Sequence, residues 1–391
     1  MKSLTAGDAL ALLKKYNVSQ AVLEHILSVR DYAVEIASKK DCDRQLVEVG
    51  ALLHDIGRSR THKIDHAIIG ASILRKEGID PKVVNIVEKH IGAGLTASEA
   101  KKLGLPEKDF IPGTIEEKIV AHADNLIGST ERVSIKDTVK MAKEKWFEDS
   151  VKRLIDFHYE VFEPENVIFG ERIYADKDNA LDTISGYVDK LIKKEDVLYR
   201  LSIHDGRCII SLYGGGAERS RDILKEAIGI PEKIGIGNIY TAEISRFEDD
   251  GFFVYASKEY FIDAESLYTA FNIKSVNELI KSYGLIKNMP VQVRITGENS
   301  AMLSEEQVNI MKEWAESKHD MIIVTGITRA HLKRSLKKLK ISGNVSDVER
   351  LGILCQMIAC KKGISGYQVI QTLRKKINNE MSIITAKRNK T

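Results

Sequence analysis

The stretch Ala51-Leu52-Leu53-His54-Asp55-Ile56-Gly57-Arg58 sets an imidazole beside a carboxylate at the end of an apolar run. Leu46, Val49, Leu53 and Ile56 recur at helical spacing, so residues 44–56 are expected to form a helix that Gly57 stops. A His-Asp pair at a helix end aims two donors at one point. Both suit a divalent transition metal, and the carboxylate can bridge two ions.

A single dipeptide of this kind commonly serves packing alone. Here the neighbouring segments repeat the chemistry. His25 lies among Val22, Ile26, Val29 and Ala33 on a preceding helical face. His66 opens a helix over 64–77, and His90 closes one that Pro81 begins. Asp124 sits in His122-Ala123-Asp124-Asn125, on a helix over 115–128. Five helices each carry a His or Asp where half-buried helices normally carry apolar residues. Six of the ten histidines precede residue 125 while only four cysteines occur in the chain, which favours nitrogen and oxygen ligands over thiolates.

The order His25, His54-Asp55, His66, His90, Asp124 resembles the HD superfamily of metal-dependent phosphohydrolases. His54-Asp55-Ile56-Gly57 matches the subgroup named for that tetrapeptide. More narrowly, Thr61-His62, His90-Ile91-Gly92-Ala93-Gly94 and Glu116 to Asn125 resemble an archaeal HD family of unassigned substrate. The resemblance implies that His25, His54, Asp55 and Asp124 hold a first ion. It implies that His66 and His90 complete a second site, with Asp55 bridging. The implied cofactors are one or two divalent metal ions, manganese or iron first, with Mg, Co, Ni and Zn as further candidates. The implied reaction is hydrolysis of a phosphoester by a metal-activated water. Asp55 and Arg58 are the candidate catalytic residues, Arg58 as a phosphate clamp. His62 and Lys63 are further basic candidates. His122 is expected to pack or to orient Asp124, because positions i and i+2 on a helix face apart.

Composition fits this frame. The chain has 391 residues, 43% hydrophobic and 29% charged, which excludes a wholly disordered or collagen-like protein. No apolar run approaches the ~20 residues of a membrane span, and the N-terminus lacks a signal-peptide pattern. A cytoplasmic protein without disulfides is expected. The net charge of +3 is uneven: residues 1–200 carry 31 basic and 34 acidic side chains, and residues 331–391 carry 14 and 3. That basic end suits either a phosphate backbone or a solvated helical face.

Beyond residues 137–163, read as one further helix, the pattern changes. Strands are expected over 197–203 and 207–213 around the Asp205-Gly206 turn, with helices over 181–194 and 217–228. His204-Asp205 lies at that turn without partner histidines and is no metal site. Gly214-Gly215-Gly216 reads as a flexible turn. Residues 237–262 and 290–296 read as strands, and 275–283 and 304–318 as helices behind Ser275/Glu278 and Ser304/Gln307. A strand at 321–324 precedes helices over 328–339, 346–361 and 366–377. Residues 233–297 resemble an OB or S1-like barrel, with Tyr240, Phe252, Phe253 and Tyr255 as stacking candidates. Residues 172–385 resemble an uncharacterised archaeal family.

The fold class expected is therefore multidomain: an all-α HD domain followed by an α+β region with a small OB-like β-barrel and C-terminal helices. Boundaries are placed at 1–167, 168–230, 231–299 and 300–391. The expected partners are a phosphorylated small molecule or nucleotide, and RNA through the basic C-terminal half, with no membrane. A basic half joined to an HD half resembles the arrangement of ribonuclease Y. The alternative is a non-catalytic RNA- or ribosome-associated binding protein whose metal site is structural or sensory.

Overall fold

The computed structural model describes all residues except 1–3, 174–176, 231–233, 317–319, 375–382 and 386–391. The chain divides into two compact units, the first comprising Met1–Glu165, Lys194–Tyr199 and Leu212–Ser220. The remainder forms the second.

The first unit is helical: α1 (Ala6–Lys15), α2 (Gln20–Ala37), α3 (Arg44–Leu53), α4 (His66–Lys76), α5 (Pro81–Lys89), α6 (Ala97–Lys102), α7 (Ile115–Asn125), α8 (Ile135–Lys145) and α9 (Glu148–Val161). Local chemistry sets many of the starts. Asp43 caps α3 by accepting from the Leu46 amide, Asp80 precedes Pro81 at α5, and Thr114 with Glu117 forms a capping box on α7. Helix α3 is central, packing against α1, α2, α5 and α7. Its Val47 and Ala51 join a core with Val29, Ile119 and Val120, while Val49, Leu52 and Leu53 join another with Ile26 and Leu74. The helix expected over 44–56 ends at Leu53, and Ile56–Ser59 forms a 3-10 turn. Residues 137–163 are two helices, not one. Trp146 and Phe147 are both extended, although no proline or glycine marks the break.

After α9, β1 (Glu165–Arg172), β2 (Leu198–His204) and β3 (Arg207–Tyr213) form a sheet ordered β1-β3-β2, accompanied by α10 (Lys177–Leu191) and α11 (Ala217–Ala227). Asp205 and Gly206 both take positive φ, the geometry expected of the hairpin turn there. A five-stranded antiparallel sheet follows, from β4 (Ile239–Glu248), β5 (Gly251–Ala256), β6 (Lys258–Asp263), β7 (Pro290–Ile295) and β8 (Ala301–Leu303), ordered β6-β5-β4-β7-β8. Its two ends approach one another: Phe261 forms a parallel bridge with Ser300, and its amide donates to Asn299 O at 2.9 Å. Helices α12 (Ala264–Phe271) and α13 (Val276–Tyr283) connect β6 to β7, and α14 (Glu305–Glu316) follows β8. Phe252, Val254, Ile262, Val291 and Val293 fill the core beneath the sheet.

The last segment corrects one reading. Residues 346–361 are not a helix but the hairpin β10 (Val345–Arg350) and β11 (Cys355–Cys360). Together with β9 (Met321–Thr325) and β12 (Ile383–Thr385) they form a sheet ordered β10-β11-β9-β12, with α15 (Arg329–Lys338) and α16 (Gly366–Arg374). The short apolar run Ile353–Ile358 suits a buried strand as well as a helix. The tertiary contact that selects the hairpin is Glu171, whose carboxylate accepts from the amides of Ile353 at 2.6 Å and Leu354 at 2.7 Å. Ser346 and Glu349, whose spacing would suit a capping box for the helix expected there, lie exposed on the edge strand β10. Residues 375–377, expected at the end of α16, lie outside the described residues. All four cysteines are free, and Cys208, Cys355 and Cys360 are buried. Among the described residues, no helix is long and apolar enough to cross a membrane.

Candidate metal centre

The helical unit brings all six expected ligands together. His25 comes from α2, His54 and Asp55 from the end of α3, His66 from the first turn of α4, His90 from the end of α5, and Asp124 from α7. Gly57 makes this convergence possible. A Cβ there would stand 1.9 Å from His66 O and 2.7 Å from the Gly70 amide nitrogen. Only glycine lets the turn after Asp55 lie directly on the helix that carries His66.

Each of the four histidines is oriented by a main-chain carbonyl. His25 Nδ1 donates to Ser129 O (3.0 Å), His54 Nδ1 to Ala51 O (2.7 Å), His66 Nδ1 to Lys63 O (2.7 Å) and His90 Nδ1 to Val87 O (2.8 Å). A carbonyl only accepts, so these bonds place a proton on every Nδ1 and turn every Nε2 inward. This is the outer support that metal-ligating imidazoles characteristically have. The Nε2 atoms converge on Asp55. Its Oδ2 lies 3.7 Å from His54 Nε2 and 3.9 Å from His25 Nε2, while Oδ1 lies 3.1 Å from His66 Nε2 and 3.7 Å from His90 Nε2. Asp124 Oδ1 stands 3.0 Å from His25 Nε2 and 3.5 Å from His54 Nε2.

Three overlapping donor sets result, each with ligand atoms within 4.8 Å of one another: His25, His54 and Asp55; His54, His90 and Asp124; Asp55, His66 and His90. The donor chemistry fits divalent cations. His54 Nε2 and Asp55 Oδ1 are buried without a hydrogen-bond partner. His66 Nε2 faces His90 Nε2 at 3.2 Å, and with both Nδ1 positions protonated, two lone pairs meet unless a cation or proton lies between them. Burial opposes charge at Asp55, yet the charge of His54 and the imidazoles of His66 and His90 outweigh it and hold the carboxyl far below the usual carboxylate range. Burial likewise opposes charge at His54, but Asp55 and Asp124 lift it to about 9. The centre therefore concentrates negative charge that favours a cation.

Around it, Arg58 Nε donates to Asp55 Oδ2 at 2.5 Å. Arg58, His62, Lys63, Ile91 and Gly92 line a mouth of about 270 Å³ that reaches His66, His90 and Asp124. His122 does not contact Asp124. It points to the other side of α7, where its Nε2 meets His158 Nδ1 at 3.0 Å, and His158 Nε2 donates to Tyr213 O at 2.8 Å. His204 belongs to no donor set among the described residues. Two residues beyond the expected set shape the surroundings. Asn125 Nδ2 donates to Gly92 O at 2.8 Å, and Arg153 binds Ala93 O, Gly94 O and the Glu99 carboxylate. Arg153 carries no local signal for this role, because Ala93, Gly94 and Glu99 lie more than fifty residues away. These bonds fasten the segment after His90, which also carries the short helix α6.

The model of the HD domain family matches residues 22–129. The DUF2110 central domain matches residues 235–315, and the DUF2110 C-terminal domain residues 319–385. A tRNA (cytidine(56)-2'-O)-methyltransferase of Thermoplasma volcanium is 51% identical over 149 residues, 38% of this chain and 44% of that protein. An uncharacterized protein of Methanocaldococcus jannaschii is 50% identical over 160 residues, 39% of this chain and 94% of that protein. A ribonuclease Y of Acidothermus cellulolyticus is 41% identical over 111 residues, 28% of this chain and 19% of that protein. The chain thus spans less than half the length of the methyltransferase it matches. With its ligand set, its tetrapeptide and these matches, the chain belongs to the HD domain family through residues 22–129, followed by the central and C-terminal domains of DUF2110.

Proposed function

We propose that the helical unit hydrolyses a phosphoester of a nucleotide or of RNA, using one or two divalent ions. The observation that carries this reading is the division of Asp55, with one oxygen turned to His25 and His54 and the other to His66 and His90. His25, His54, Asp55 and Asp124 would hold the first ion, and Asp55, His66 and His90 the second. Bound ions supply Lewis acidity and a more acidic water at neutral pH. The chain's own groups do the rest. The four carbonyl-bound Nδ1 atoms keep the imidazoles in one tautomer. Arg58, His62 and Lys63 place positive charge at the mouth, where Arg58 clamps a substrate phosphate with the donors not engaged by Asp55.

RNA as the substrate polymer draws support from the second unit. On the five-stranded sheet, which we read as OB-like from its strand order and the Phe261–Ser300 bridge, Phe252 belongs to the core while Phe253 and Tyr255 turn to the other face. Arg246 lies 3.6 Å from the Phe253 ring centre and Arg207 5.0 Å from that of Tyr255. Arg172, Arg207, Arg246, Lys287 and Tyr255 line a cleft of about 670 Å³ together with Glu243 and Glu259, with which the three arginines pair; cations beside π-faces are the groups that single strands use. Relatives named for tRNA methylation and as ribonuclease Y agree with that polymer.

Metal content and hydrolysis of bis-p-nitrophenyl phosphate, measured together on wild type and Asp55→Ala with manganese, iron and other divalent ions, test the proposal. About two metals per chain and turnover that vanishes in the variant are expected. Metal-free wild type without turnover, together with salt-dependent RNA binding that survives Asp55→Ala, would instead make the chain a binding protein.

A further inference from the structure

The break between α8 and α9 has a counterpart beside the metal centre. Trp146 and Phe147, extended and half-buried, line a cavity of about 360 Å³ together with Ile64, Ile91, Gly92 and Leu103. That size falls within the range of small-molecule sites. Ile64, Ile91 and Gly92 also line the mouth of the metal centre, so the two cavities share one wall. Their characters differ. The mouth is lined by Arg58, His62, Lys63 and the metal-facing side chains, and the neighbouring cavity is mainly apolar and aromatic, with Glu144, Lys145 and Ser150 also on its lining.

The shared wall is built to stay in place. Gly92 has φ +55°, in the left-handed region that favours glycine, and a Cβ on it would meet the Trp146 ring at 3.3 to 3.5 Å, so the indole packs closely against this glycine. Gly92 O is held by Asn125, the neighbour of Asp124. Ala93 O and Gly94 O are held by Arg153, which is paired with the buried Glu99 at 2.6 Å. Lys102 Nζ lies 5.5 Å from the Phe147 ring centre and occupies one of its faces, which leaves Trp146 as the principal stacking surface.

Both cavities open to the surface, so a ligand that crosses the rim of the shared wall has an anionic group on the metal side and a flat ring on the Trp146 side. We infer that the Trp146 cavity receives the nucleobase of the substrate whose phosphate reaches the metal centre, and that Trp146 is a specificity-determining residue. This inference rests on the phosphohydrolase reading above. Stacking on an aromatic face tolerates any base, because each has a π-face. The cavity therefore distinguishes nucleotides from sugar phosphates more sharply than one base from another.

Two measurements test it on the full-length chain. The chain has two tryptophans, so Trp314→Phe leaves Trp146 as the only indole emitter. In the manganese-loaded protein, AMP and UMP are expected to quench that emission saturably, and ribose 5-phosphate is not. In the second measurement, kcat/KM is compared for AMP, UMP, a short 3′-phosphorylated RNA and ribose 5-phosphate. Trp146→Ala should lower the ratio of nucleotide to ribose 5-phosphate turnover by about tenfold or more, and Trp146→Phe should retain most of it. Preference for the RNA over AMP and UMP would identify a polymer end as the source of the base, and the reverse a free nucleotide. An unchanged ratio in Trp146→Ala, or quenching by ribose 5-phosphate equal to that by AMP, overturns the inference. If no phosphoester is turned over, the hydrolase reading fails and the titration alone decides whether the cavity binds a base.

Discussion

Helix α7 separates two buried histidine assemblies with opposite chemistry. On one side, Asp124 joins His25, His54, His66, His90 and Asp55. On the other, His122 pairs with His158. Both are desolvated, but they respond oppositely. Carboxylates raise His54 to about 9, whereas burial, with no carboxylate in contact, depresses both members of the pair, His158 to about 4. Every Nδ1 in the first assembly is fixed on a carbonyl, leaving Nε2 atoms that converge. In the second, one imidazole bonds to the other and the chain ends at Tyr213 O. Burial of histidine is therefore no sign of a metal site. Converging Nε2 atoms around a shared carboxylate are.

The largest expected effect breaks the first assembly and spares the second. Asp55→Ala should remove both ions and reduce metal affinity beyond the roughly 10–100-fold that loss of an outer partner costs. Elemental analysis checks it, and His122→Phe measured alongside should keep its metal. Gly57→Ala comes next. Its methyl would collide with the main chain at His66, so a loss of roughly 3 kcal/mol or more is expected in denaturant unfolding, with reduced metal content. A third test uses acid. His158 is neutral when folded, and its pKa rises to about 6.5 on unfolding, so its contribution is complete above pH 6.5 and fades as pH falls through about 4. The loss approaches about 3 kcal/mol, and His158→Gln should flatten the profile of stability against pH over that window. The smallest effect is His122→Phe itself. It strands His158 Nδ1 without its partner and should cost about 1–3 kcal/mol, read from the same unfolding curves.

Much of the candidate site was legible because its donors stand on helices that carry their own signals, most of them at helix ends. Pro81 and the periodic apolar faces around His25 and His54 locate helices, and their ligands stand where an apolar residue is otherwise expected. The strands around Asp205-Gly206 were legible for the same reason: the turn and the alternation agree. The break at Trp146-Phe147 and the hairpin at 345–360 were not. The break carries no proline or glycine, the lone Gly352 of the hairpin turn sits in an otherwise apolar run, and each depends on a distant partner, Gly92 for Trp146 and Glu171 for the amides of Ile353 and Leu354. The partner of His122 was hidden likewise, since nothing in His122-Ala123-Asp124 refers to a residue 36 positions away.

The sequence by itself determined which side chains can ligate and which helices carry them, because periodicity, caps and donor chemistry are local properties. Only the tertiary structure decided that Asp55 turns one oxygen to each histidine pair and that Arg58 rests on that same carboxylate. It also decided that an aromatic cavity adjoins the centre through Gly92. Those relations join residues from different helices, and they are set by how closely backbones approach, which local sequence does not encode.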